Sequence, residues 1–64
     1  MTKRTKYTAN ALAAAMKRKG MSPTQLAAKL DLSEMSVRRY LAGARIPKLE
    51  RLREIGTILG VEWR

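Results

Sequence analysis

Residues 22–42 read SPTQLAAKLDLSEMSVRRYLA, a stretch that holds two helix starts in succession. Ser22 is a residue type that caps a helix N-terminus, Pro23 has the fixed φ that suits the first helical position, and Gln25 completes an S-x-x-Q capping box. Ser33 repeats the capping signal. Met21 with Leu26, and Leu32 with Val37, are spaced as hydrophobic staples around the two caps. Leu26, Ala27 and Leu30 make one inward face; Val37, Tyr40 and Leu41 make the next. Between them stands Asp31, which tolerates a left-handed backbone better than most non-glycine residues. The stretch predicts two short helices joined by a three-residue turn, with small Ala27 letting them cross closely. Glu34, Met35, Arg38 and Arg39 are left facing outward.

On the N-terminal side, the pattern turns helical at Thr8. Leu12 and Met16 lie four residues apart on one face, and Gly20 offers a left-handed stop. Lys17, Arg18 and Lys19 load the last turn, where the helix dipole favours positive charge. On the C-terminal side, Leu49, Leu52, Ile55, Ile58 and Leu59 recur at helical spacing between Pro47 and Gly60. Gly56 costs about 1 kcal/mol relative to Ala inside that helix, so close approach of a neighbouring helix is its expected reason. Residues 1–7 are polar and basic with no apolar period, and read as a flexible basic arm. Residues 61–64 read as a stub. The fold class expected is all-α: one compact domain over residues 8–64, a bundle of four to five short helices.

Composition narrows the function. With no cysteine and no histidine among 64 residues, disulfides and zinc fingers are excluded. Five acids, none in a plausible acid–base pair, and no glycine-rich phosphate loop argue against an enzyme. No cofactor, metal or small-molecule ligand is expected. Fourteen Lys+Arg against those five acids give a formal charge of +9, with no acid before Asp31. Such a chain is drawn to polyanions. The basic start has no apolar core of a secretory signal, and the run from Ala11 to Met16 is too short to span a bilayer. A soluble, cytoplasmic, nucleoid-associated protein is the expectation, with no membrane partner.

Two capped helices locked by Leu26, Ala27, Leu30, Leu32, Val37 and Tyr40 have the spacing of a helix-turn-helix, whose second helix projects so that its first turn enters the DNA major groove. Residues 12–61 resemble the lambda-repressor/Cro-like (XRE) helix-turn-helix family. The string MSPTQLAAKLDLSEMSVRRYLAGARIPKLERLREIGTILGV follows that family's pattern, with identities at Leu26, Ala27, Lys29, Ser33, Gly43, Arg45, Pro47, Leu52, Ile55, Leu59, Gly60 and Val61. It departs at Pro23, where the family usually has a phosphate-contacting Gln, and at Asp31, where Gly is usual. Many relatives also hold a buried Arg–Glu pair at the positions occupied here by Met16 and Leu41. Exchanging both charges for apolar side chains is coherent, because a packed apolar pair can match a buried ion pair in stability.

The resemblance implies a small sequence-specific, double-stranded-DNA-binding transcriptional regulator of the repressor type, often from a phage or mobile element. Its recognition helix would cover about residues 33–42. The base-reading positions carried over are Glu34, Met35, Arg38 and Arg39. Arg bonds bidentately to guanine O6 and N7, and Met35 suits a thymine methyl. Glu34 could accept from cytosine N4, sit favourably at the helix N-terminus, or repel phosphate at wrong sites. Backbone contacts are expected from Ser33, Ser36, Lys29, Arg45 and Lys48, and from the arm residues Lys3, Arg4 and Lys6. Relatives pair through their last helices on palindromic operators, which implies a weak homodimer through Ile58, Val61 and Trp63; Trp63 could instead fold back as a lid. Two rival readings are an antitoxin or excision-type DNA-binding factor with a protein partner, and a cationic RNA- or membrane-binding peptide.

Overall fold

In the computed structural model, residues 3–64 are described. They run β1 (Lys3–Thr5), α1 (Ala9–Lys19), α2 (Pro23–Leu30), α3 (Glu34–Ala42), α4 (Leu49–Leu59) and β2 (Val61–Trp63). Helices α1, α2 and α3 begin where side-chain oxygens replace missing turns of backbone bonding. Thr8 Oγ1 accepts from the Ala11 amide at 2.9 Å. Ser22 and Gln25 form the reciprocal capping box, with the Ser22 amide donating to Gln25 Oε1 at 2.8 Å and the Gln25 amide donating to Ser22 Oγ at 3.2 Å. Ser33 Oγ accepts from the Ser36 amide at 3.2 Å. Each helix ends on a left-handed residue: Gly20, Asp31, Gly43 and Gly60.

Asp31 is the one non-glycine residue with positive φ among the described residues, at +58°. Its conformation turns the chain sharply enough for the Leu32 amide to reach the Ala27 carbonyl at 2.9 Å. That closure sets the crossing of α2 and α3.

The core is one cluster of Leu12, Ala15, Met16, Leu26, Ala27, Leu30, Val37, Tyr40, Ile55, Leu59 and Val61. Leu12, Leu26, Val37 and Ile55 are fully enclosed at its centre. Burying each such aliphatic side chain is worth about 1.5–3 kcal/mol. Among the described residues no polar or charged side chain is buried. Met16 is in the core and Leu41 packs half-buried against it, so both departures from an ion pair sit in apolar surroundings.

The expectation of four to five helices in an all-α bundle holds, with four helices among the described residues and a minor sheet added. Where the sequence reading put a flexible arm, Lys3–Thr5 is a strand; Met1 and Thr2 lie outside the described residues. Where it put a stub, Val61–Trp63 is the partner strand, paired in parallel with Lys3 opposite Val61, Arg4 opposite Glu62 and Thr5 opposite Trp63. The cause is alternation: Val61 turns into the core, Glu62 outward, and Trp63 back to meet Tyr7 edge-to-face at 5.3 Å. The same strand corrects the reason for Gly56. A Cβ there would collide with the Val61 carbonyl oxygen and press on Trp63 at 3.3 Å, so it is β2 rather than a neighbouring helix that comes close.

Candidate nucleic-acid interface

The site begins with the cap of α3. Ser33 caps the first turn by accepting from the Ser36 amide, and the turn's remaining free amides leave partial positive charge at that end. Burial of Val37 and Tyr40 fixes the helix's rotation. The residues between those two anchors and one turn earlier must then face out. Met35 is 57% exposed, a large apolar side chain with no protein surface to cover it. Arg38 and Arg39 are exposed one turn further on. The structure therefore brings Glu34, Met35, Arg38 and Arg39 together on one exposed surface of α3.

Glu34 is the least free of the four. The Thr24 hydroxyl of α2 donates to its Oε1, and Arg38 Nε donates to its Oε2 at 2.6 Å. The Thr24 bond first, then the Arg38 bond and charge, hold the Glu34 carboxyl below its ordinary range. Both carboxylate oxygens already accept bonds from this chain, which weakens the expectation of Glu34 as a free acceptor for cytosine.

The expected backbone-contacting residues divide into separate places. Ser36, Arg45 and Lys48 line one cleft between α3 and the start of α4, together with Leu32, Tyr40 and Arg51. The Ser36 hydroxyl lies 3.1 Å from that of the N-cap Ser33. Lys29 lies elsewhere, in a shallow depression with Lys19 and Gln25 where the end of α1 meets α2. Arg4 lies on β1 and pairs with Glu62 at 3.4 Å, and Lys6 is exposed just beyond that strand. The Lys3–Thr5 backbone is paired with β2, so it is part of a sheet and not of a free arm.

Of the three expected dimer contacts, Val61 is 5% exposed and belongs to the core of its own chain. Its alternation within β2 makes it unavailable as a subunit contact. Trp63 packs edge-to-face on Tyr7 but stays partly buried, and Ile58 is likewise half-buried against the core.

Two residues of the site were missed. Thr24 was passed over because its partner is ten positions away on another helix. Arg51 donates through Nη1 to the Leu30 carbonyl at 3.2 Å and to Glu54 at 3.3 Å, tying α4 to the end of α2. The Arg51–Glu54 spacing was a legible helix pair; the Leu30 contact had no sequence signal.

A family model described as helix-turn-helix matches residues 12–64. No curated protein matches the chain.

Proposed function

The chain belongs to the Cro/C1-type (XRE) helix-turn-helix family of DNA-binding regulators, and from that premise we propose that it is a sequence-specific repressor-like protein that reads duplex DNA with α3. The observation that carries this reading is the outward set on α3: Met35, Arg38 and Arg39 exposed on a helix whose inner side is locked by Val37 and Tyr40. Arg38 and Arg39 are the guanine readers, and Met35 is the thymine-methyl contact. Ser33, with the amides of the first turn, anchors a phosphate at the helix N-terminus. Ser36, Arg45 and Lys48 hold the backbone beside the α3–α4 cleft, and Lys29 holds it at a second point.

The DNA-binding unit takes in residues 8–64 together with β1 and Tyr7, which pack against β2. Two copies occupy a palindromic operator, pairing weakly through Ile58 and Trp63. The groove between α4 and β2, where Leu49, Leu52 and Trp63 lie, supports the Trp63 side of that pairing.

Arg39→Ala tests the assignment. It should cost about 1–3 kcal/mol in binding and relax preference at one base pair. An equal loss on every sequence would make Arg39 a phosphate contact instead.

A further inference from the structure

Glu34 stands at the start of α3 with its carboxylate between two partners. Thr24 on α2 takes one oxygen, and Arg38 Nε takes the other at 2.6 Å. The consequence lies in the shape of the guanidinium. An arginine has two edges on which parallel N–H groups can meet guanine O6 and N7: the end that carries both terminal nitrogens, and the side shared by Nε and one of them. Glu34 occupies Nε. No other hydrogen bond of the Arg38 guanidinium is formed among the described residues.

We propose that Glu34 is a positioning residue, which with Thr24 holds Arg38 so that its terminal fork is the edge offered to a guanine. The proposal rests on the reading of α3 as the recognition helix. An unrestrained arginine loses side-chain freedom when it docks on a base, whereas one already held in place loses less. The carboxylate's charge is also compensated before DNA arrives, so it meets the phosphates as half of an ion pair. A Glu34 carboxyl held below its ordinary value is ionised at neutral pH, where it can pair with Arg38.

The signature is positional. If Glu34 acts through Arg38, removing it blurs the base pair that Arg38 reads. A carboxylate reading cytosine would govern a base pair of its own, and one that only repels phosphate would affect every sequence equally.

The experiment uses a randomised duplex DNA library. Wild type, Glu34→Ala, Arg38→Ala, the double variant and Thr24→Val are each selected on it, then titrated against the wild-type consensus and its single-base-pair variants. Glu34→Ala should lower discrimination roughly five- to fiftyfold at the base pair relaxed by Arg38→Ala, as expected for directly coupled residues. The double variant should discriminate no worse than Arg38→Ala alone. Thr24→Val should give a smaller loss at the same base pair, and it keeps the proposal testable if Glu34→Ala fails to fold. A change at a different base pair, a uniform change on all sequences, additive effects in the double variant, or an unaffected Thr24→Val would overturn the positioning role. Wild type enriching no sequence would instead overturn the recognition-helix reading, and the positioning role with it.

Discussion

Arg38 and Arg39 differ in what surrounds them. Arg38 is held by Glu34, an i,i+4 pair on the same helix, whereas Arg39 lies on the exposed side nearer the helix end. The outward placement of both, and of Met35, was legible in the sequence, because one apolar face at helical spacing dictates its complement. The Thr24–Glu34 bond was not, because it depends on how α2 and α3 cross, and spacing within either helix carries no record of that. The bond has a measurable electrostatic trace. Thr24 first, then Arg38, lower the Glu34 pKa, while burial opposes slightly. A folded value below the unfolded one means these contacts stabilise fully above the unfolded pKa. The contribution is lost as pH falls through the folded pKa. The Glu34 side-chain carboxyl, followed by carbon NMR, should titrate below its ordinary value of 4.5. In Thr24→Val the midpoint should move upward, and an unmoved midpoint would show that the hydroxyl does not hold the carboxylate.

Among the elements, α2 and α3 were the most legible because each start is written in local chemistry: Ser22, Pro23 and Gln25, then Ser33. Asp31 ended α2 in a left-handed turn as its residue type allowed. The terminal strands were illegible for a physical reason. Three residues are too few to show a period of two, and pairing between opposite ends of the chain leaves no local signal. Gly56 was the visible clue, read against the wrong neighbour. Gly56→Ala should therefore destabilise the fold by about 1–3 kcal/mol, since the new methyl meets backbone that must shift. A gain in urea stability of about 1 kcal/mol, the bare helix-propensity expectation, would show that β2 does not lie against α4. The start of α4 carries the opposite opportunity. Lys48 occupies its N-cap without any side-chain capping bond. Lys48→Ser should stabilise the protein by about 0.5–1 kcal/mol in thermal unfolding. It should also weaken binding to all duplexes alike, because a backbone-neutralising charge is lost. If binding were unchanged, Lys48 would lie away from the phosphates.

At the scale of the whole molecule, size and charge act together. The backbone extends 30 Å along its longest axis, against roughly 34–36 Å between the centres of half-sites one helical turn apart. The proposed palindromic operator therefore calls for two copies, one on each half-site. The charge of +9 gives attraction to any duplex, and that part of the affinity falls with salt in proportion to the phosphates neutralised, by roughly 0.9 in the log–log slope for each. On the proposed reading, sequence preference comes from α3 above this background. The most direct measurement is selection from random duplex DNA, followed by titration of the enriched duplex and a scrambled one at two salt concentrations. The account predicts a palindromic consensus bound at least about a thousandfold more tightly than scrambled DNA, with the ratio surviving the higher salt. No enrichment, with equal and salt-sensitive binding to both duplexes, would contradict it.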